Sequence, residues 1–259
     1  MNNPLIVSTI QYDIVWENPK ANLEKLSLLI DSIDKTDVIV LPEMFTTGFS
    51  MEPERIAEEH SDSMSTLNWM YDQAAKHDAV VLGSVAVKEG DNYFNRMYVA
   101  FPNRTNIRYD KNHLFSFGKE HEHYKAGAQS IVFEWKTWNI RPLICYDLRF
   151  PELARNSWDG DEASYDLLIY VANWPEVRSY PWSALLRARA IENQSYLIGC
   201  NRVGCDGSNI NHSGESVVID PKGGVLAELK PFEEGIITSQ LDDFTLSQFR
   251  QAFPVLKDI

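Results

Sequence analysis

Cysteine is scarce in this 259-residue chain: Cys145, Cys200 and Cys205 are the whole set. An odd and sparse count cannot close a disulfide framework, and a chain this long buries a core without one, so a reducing, intracellular setting is expected. Positive charge is also in short supply. There are 24 Lys and Arg against 37 Asp and Glu, a formal net charge of −13. A field of that sign repels phosphate backbones and anionic headgroups, which argues against nucleic-acid and membrane partners. Solubility is the simplest account of the acidity. Long hydrophobic runs are missing too: Leu167 to Ala172 is among the longest, far short of the roughly 20 residues of a membrane span. The first residues, Met-Asn-Asn-Pro-Leu-Ile-Val-Ser, have no basic stretch ahead of an apolar one. No secretory signal is read there, and a cytoplasmic protein is expected. Gly/Ser linkers, low-complexity tracts and short repeats are likewise absent. One domain over residues 1–259 is the simplest organisation.

What the chain does contain is an alternation of short apolar runs and amphipathic segments. Leu5 to Ile10 and Val38 to Leu41 read as buried strands. Between them Asn18-Pro19 supplies an N-cap and a first-turn proline for a helix to about Asp34, with Leu23, Leu26, Ile30 and Ile33 at helical spacing. A second helix is expected from about Ser63 to Lys76. Strands follow at Val80 to Val87, Phe94 to Phe101 and Ile107 to Asp110, then at Ile131 to Trp135 and Ile140 to Cys145. Pro151-Glu152 opens a short helix and Leu167 to Val171 is a buried strand. Tyr180 to Asn193 reads as a helix with Trp182, Leu185, Leu186 and Ile191 as its apolar positions. Strands at Tyr196 to Asn201, Glu215 to Ile219, Val225 to Leu229 and Ile236 to Gln240 precede a last helix opened by Asp242-Asp243. Many strands with few long helices indicate an α/β domain.

Three chemically capable side chains stand where strands stop: Glu43 in Leu-Pro-Glu-Met-Phe, Lys111 in Tyr-Asp-Lys-Asn-His, and Cys145 in Ile-Cys-Tyr-Asp-Leu-Arg-Phe-Pro-Glu. In open α/β sheets ligands gather beyond strand ends. Each residue alone has an ordinary explanation, a solvated loop charge for Glu43 and Lys111 or a small core hydrophobe for Cys145. Together they form a set. A thiol attacks only as thiolate, a carboxylate can take its proton, and an ammonium can stabilise thiolate and oxyanion. Competing motifs fit less well. Cys145 and Arg149 are too close for the phosphate loop of Cys-based phosphatases, and Arg149 is expected to be a buried ion-pair partner of Glu152 or another carboxylate, orienting the Cys turn. His121-Glu122-His123 lacks metalloprotease spacing. His113 is expected to have a structural role, Cys200 and Cys205 to be inert, and Asp206-Gly207-Ser208-Asn209 to be a turn.

In order and separation, these motifs resemble those of the nitrilase superfamily, the carbon–nitrogen hydrolases. The resemblance extends through Val171-Ala172-Asn173-Trp174-Pro175, Leu186 to Asn193, Asn201-Arg202-Val203-Gly204, Gly214-Glu215-Ser216 and Asp220-Pro221-Lys222-Gly223. It implies a four-layer α-β-β-α sandwich. It also implies Glu43 as general base, Lys111 as oxyanion stabiliser, Cys145 as nucleophile and the Tyr146 N–H as second oxyanion donor, with no cofactor or metal. A second glutamate lies between the Lys and Cys motifs in many members; Glu120 and Glu122 are the candidates and Glu120 is favoured. Cys-Tyr-Asp-Leu-Arg-Phe-Pro-Glu and Asn-Trp-Pro are most similar to the omega-amidase branch, which deamidates short dicarboxylate monoamides. For that substrate Arg178 or Arg202 is expected to hold the carboxylate, with Phe117 and Trp174 as aromatic walls and Arg187 and Arg189 as structural competitors. Another amidase of the superfamily (a carbamoyl-amide hydrolase), a nitrilase, or a non-catalytic binding protein on the same fold are the alternatives. A homodimer through the helix from about Tyr180 to Asn193 is expected by the same resemblance.

Overall fold

Strands in which every residue is apolar are covered on both faces, and Val38–Val40 in the middle of the first sheet is such a strand, buried at all three positions. The computed structural model describes residues 3–258 apart from 161. Its first sheet runs in the order Gly235–Leu241, Leu5–Gln11, Val38–Val40, Val80–Glu89, Asn92–Ala100 and Asn106–Asp110. The second runs Val225–Glu228, Val217–Ile219, Tyr196–Asn201, Leu167–Ala172, Trp138–Ile144 and Phe133–Trp135. The middle strands of each pair in parallel: Leu5–Gln11, Val38–Val40 and Val80–Glu89 in the first, and Trp138–Ile144, Leu167–Ala172 and Tyr196–Asn201 in the second.

The side-chain period of two divides each strand between layers. Val38, Val40, Val80, Leu82, Met97 and Val99 meet residues of the second sheet such as Ile140, Ile169 and Ile198 in one core. Their neighbours Ile39, Leu41, Val81, Val85 and Tyr98 face outward onto Leu26 and Ile30 of the helix Pro19–Asp31 and onto Leu67, Met70 and Ala74 of the helix Ser65–His77. Trp182, Leu186 and Ala190 of Ser179–Glu192 and Leu246 of Asp243–Ala252 cover the second sheet. The result is the four-layer α-β-β-α sandwich.

Local chemistry set the element ends as the sequence indicates. Asn18 caps the first helix by accepting from the Ala21 N–H at 3.1 Å, and Asp242 caps the last by accepting from Thr245 at 3.1 Å. Some boundaries moved. The strand expected from Ile131 begins at Phe133, and the one expected from Glu215 begins at Val217, because Glu215 adopts φ +62° to turn the chain. Ile191, one of the apolar positions of the helix Ser179–Glu192, is exposed, and Arg189 is buried, its guanidinium donating to the Leu148 carbonyl at 2.8 Å.

Candidate active site

Glu43, Lys111 and Cys145 come from three separate strand ends and meet at the floor of a cavity of about 220 Å³. Glu43 lies in the turn after Val38–Val40, Lys111 directly follows Asn106–Asp110, and Cys145 directly follows Trp138–Ile144. Glu120 joins them from the one-turn helix Glu120–His123. All four are buried, with Cys145 the most accessible at 9% exposure. Glu122, the other candidate, is on the surface, 4.0 Å from Lys119.

One ammonium is shared by two carboxylates. Lys111 Nζ donates to Glu43 Oε1 at 2.8 Å and to Glu120 at 2.9 and 3.1 Å. Burial alone would lower the Lys111 pKa, but Glu120 and Glu43 together hold the ammonium well above its ordinary value. Burial, and secondarily the charge of Glu43, pushes the Glu120 carboxyl up, against the pull of Lys111 and of the Phe115 N–H, 2.6 Å away. Glu43 Oε2 accepts from the Asn173 backbone N–H at 2.8 Å, and the Asn173 side chain donates to the Glu43 carbonyl. Asn95 Nδ2 bridges the two carboxylates at 2.8 Å to Glu43 and 3.1 Å to Glu120.

The Cys145 thiol is also pushed well above its ordinary value, first by burial and then by Glu43, with Lys111 opposing. It rests protonated, so attack requires a base that removes the proton as the bond forms. The Cys145 backbone sits at φ +44°, a left-handed conformation unfavourable for a residue with a Cβ. Asp147 supports this turn. Its buried carboxylate accepts from the Ile144 N–H at 3.1 Å, the Tyr109 hydroxyl at 2.8 Å and the His113 N–H at 2.9 Å. The same group therefore grips the chain before Cys145 and on both sides of Lys111. The His113 ring stacks on Phe150 with centroids 3.6 Å apart. Tyr146 is the second residue of the 3₁₀ turn Cys145–Arg149, where leading N–H groups lack partners within the helix.

The cavity walls are largely aromatic: Phe49, Phe115, Phe117, Tyr146 and Trp174 line it with Met51. Phe117 is 81% exposed and forms the rim. Arg178 lines the cavity with its guanidinium 5.4 Å from the Phe115 ring centre and 5.3 Å from that of Phe117. Arg202 lies elsewhere. It is fully buried, donates to Asp13 at 2.7 Å and to the Val203 carbonyl at 2.9 Å, and does not border the cavity. The reason is its strand end: Asp13 bridges to Val203 and claims the guanidinium. Arg202 thereby secures the hairpin Val203–Cys205 and Asn211–Ser213, whose Asp206, Ser208, Ile210 and His212 do border the cavity. Arg149 also departs from expectation. It is exposed, lines the cavity 5.0 Å from the Trp174 ring centre, and has no carboxylate partner among the described residues. Arg187 and Arg189 stay structural, donating to the Gly223 and Leu148 carbonyls. Cys200 is buried with its thiol toward the Ile10 and Val40 carbonyls, whereas Cys205 is exposed. Among the described residues no cluster of His, Cys, Asp or Glu is arranged to hold a metal ion.

Asn95, Asp147, Asn173 and the hairpin had no role in the sequence reading. The polar pair Asn95-Arg96 in the otherwise apolar and aromatic run from Phe94 to Phe101 is the one available signal for Asn95. For the hairpin, the turn residues were legible but not their destination.

Residues 6–251 match the family model described as carbon-nitrogen hydrolase. The chain is 43% identical to omega-amidase YafV of Escherichia coli (strain K12), covering 98% of this chain and 96% of that one. It is 38% identical to 2-oxoglutaramate amidase of Bacillus subtilis (strain 168), again over 98% and 96%. The crystal structure of XC1258 from Xanthomonas campestris, described as a CN-hydrolase superfamily protein with an arsenic adduct in its active site, superposes with a TM-score of 0.96 at 38% identity, covering 99% of this chain and 97% of that one.

Proposed function

The chain belongs to the carbon–nitrogen hydrolase family, and from that premise we propose that it hydrolyses the distal carboxamide of small dicarboxylate monoamides, of the 2-oxoglutaramate and 2-oxosuccinamate type, to the acid and ammonia. The observation that carries this reading is the pairing, in one cavity, of a buried Glu43–Lys111–Glu120 cluster beside Cys145 with the Arg178 guanidinium on the wall. The first is equipment for acyl transfer and the second for an anionic group on the same small molecule. The resemblance to proteins named omega-amidase and 2-oxoglutaramate amidase supports the same choice.

In the cycle we propose, Glu43 takes the thiol proton as Cys145 Sγ bonds to the carboxamide carbon. Lys111 Nζ and the Tyr146 N–H receive the developing oxyanion. Protonated Glu43 then gives its proton to the departing nitrogen, the C–N bond breaks, ammonia leaves, and a thioester remains on Cys145. Glu43 next removes a proton from water as its oxygen bonds to the thioester carbon; the C–S bond then breaks, Glu43 returns the proton to Cys145 Sγ, and the carboxylic acid leaves. Glu120 and Asn95 work through Lys111 and Glu43 by fixing their positions. Trp174 and Phe117 give the acyl chain apolar walls, and Arg178 holds the far carboxylate.

We read residues 1–259 as one hydrolase domain working in the cytoplasm, an assignment supported by the free cysteines; among the described residues no helix is long and apolar enough to cross a membrane. The working unit we propose is a homodimer through the helix Ser179–Glu192, whose Tyr180 is 82% and Ile191 49% exposed. Ammonia release from a panel of 2-oxo acid amides, carbamoyl compounds and nitriles tests the substrate class, and Cys145→Ala tests the chemistry. The 2-oxo acid amides are expected to be the best substrates and Cys145→Ala to be inactive on all. Preference for a nitrile, or undiminished hydrolysis by Cys145→Ala, would refute the reading.

A further inference from the structure

Lys111 follows the edge strand Asn106–Asp110, which among the described residues pairs within its sheet with Asn92–Ala100 alone. The place of Lys111 in the site therefore depends on the register of one strand pair. Side-chain alternation divides that pair between two faces. Asn95, Met97 and Val99 point inward with Tyr109 and Lys111, toward the second sheet. Arg96 and Tyr98 point outward with Arg108 and Asp110. The Lys111 N–H donates to the Asn95 carbonyl at 3.0 Å, so the two inward groups that hold Glu43 and Glu120 are neighbours across the pair. The rung beside them is a charged clamp. Arg96 lies opposite Asp110 and donates from Nε to Oδ1 at 2.6 Å and from Nη2 to Oδ2 at 2.9 Å. Its Nη2 also meets Glu89 Oε2 at 2.6 Å. Glu89 is 3.3 Å from Arg108 Nη1, which donates to His60 Nε2 at 2.9 Å, and His60 Nδ1 is 2.8 Å from the Tyr98 hydroxyl.

Arg96, Asp110 and Glu89 do not border the cavity, so they touch no substrate there. Their position along the chain is what links them to it: Arg96 directly follows Asn95, and Asp110 directly precedes Lys111. A solvated ion pair would hold this register weakly, but Arg96 is buried, and its planar fork matches a carboxylate in one geometry. A slip of one residue would carry Lys111 to the outer face. A smaller slackening would draw Nζ away from Glu43 and from the oxyanion. We propose that Arg96 is a positioning residue for the hydrolase reaction. By gripping Asp110 on the outer face it fixes Lys111 beside Asn95 on the inner one, and with it the point where the ammonium meets the oxyanion. This inference rests on the amidase reading above. It adds a hold on Lys111 from the first sheet to the hold that Asp147 exerts through Tyr109 and His113.

The test takes the carboxamide that wild type cleaves fastest and measures kcat and KM for Arg96→Met, Arg96→Lys and Asp110→Asn. Displacement of Lys111 by up to about 1 Å predicts a fall in kcat of about tenfold to a hundredfold for Arg96→Met, with KM within about twofold. Arg96→Lys keeps the charge without the fork and is expected to stay closer to the Met variant than to wild type. Asp110→Asn keeps the shape with one acceptor fewer and is expected to lose about three- to tenfold in kcat; it carries the test if Arg96→Met does not fold. An aldehyde in place of the carboxamide gives a second readout. The Cys145 thiol adds across its C=O, the proton passes to the oxygen, and that oxygen takes the place of the oxyanion. Its inhibition constant is expected to rise in step with the loss of kcat, whereas that of the carboxylate product stays within about twofold. Unchanged kcat in Arg96→Met and Asp110→Asn, equal weakening of aldehyde and product, or full recovery with Arg96→Lys overturns the inference. Wild-type enzyme that cleaves no carboxamide overturns instead the reading beneath it.

Discussion

Replacing Asp147 with Ala removes one carboxylate and orphans three donors in the interior. The Tyr109 hydroxyl and the Ile144 N–H are buried, and the His113 N–H is partly so. A buried donor left without an acceptor costs about 1–3 kcal/mol, the least where water can reach it, so the loss should total about 3–7 kcal/mol. Against a typical domain stability of about 5–15 kcal/mol that is a large fraction. Asp147→Asn separates geometry from charge. Its amide oxygen can serve Tyr109 and Ile144 while its NH₂ faces the His113 N–H, so one contact fails and a buried charge is relieved. A cost of about 1–2 kcal/mol is expected. Urea unfolding at fixed pH measures both. The kinetic signature is separate: Asp147 holds Ile144 before the strained Cys145 and both flanks of Lys111. The kcat of the Ala variant should therefore fall at least tenfold with KM changed less, while the Asn variant keeps most of the rate. If the Ala variant is within about 1 kcal/mol of wild type, or the two variants unfold alike, the carboxylate does not hold this turn in the way described.

Two further outcomes follow from buried titratable groups. Burial, then the charge of Arg202, depresses the folded-state pKa of His212 from 6.5 to about 4, so the contribution of this ring to stability is present above pH 6.5 and is lost as the pH falls toward 4. That contribution amounts to about 3 kcal/mol, and His212→Gln should unfold with a correspondingly flatter acid limb; unfolding midpoints that shift equally with pH in both proteins would contradict the assignment. Glu43→Gln removes a charge that, after burial, raises the Cys145 thiol. Its thiolate absorbance should titrate at lower pH than in wild type while amide turnover drops a hundredfold or more, whereas a titration midpoint that stays put or rises argues against Glu43 facing the thiol.

Glu43 and Cys145 were legible because each closes an apolar run that is a strand by its local pattern, and Lys111 because it follows the alternating strand Ile107 to Asp110; strand ends collect at one edge of a sheet. The layers were legible for a similar reason. Val38 to Leu41 is apolar at every position, a pattern that requires cover on both faces. Arg149 and Arg202 show where such reading stops. Both follow strand ends in arginine-bearing motifs, and nothing local says which guanidinium meets a carboxylate. Asp13, 189 residues from Arg202 in sequence, decides that by pairing beside Val203.

The sequence by itself determined the elements, their caps and the chemically capable residues, since these depend on periodicity, backbone preference and side-chain type over a few neighbouring positions. Only the tertiary structure decided which carboxylates share the Lys111 ammonium, that Asn95 and Asp147 fix the cluster, and which cations remain free at the cavity. Those are questions of pairing between side chains tens to hundreds of residues apart. Burial sets the strength of each pair, and burial belongs to the packed molecule.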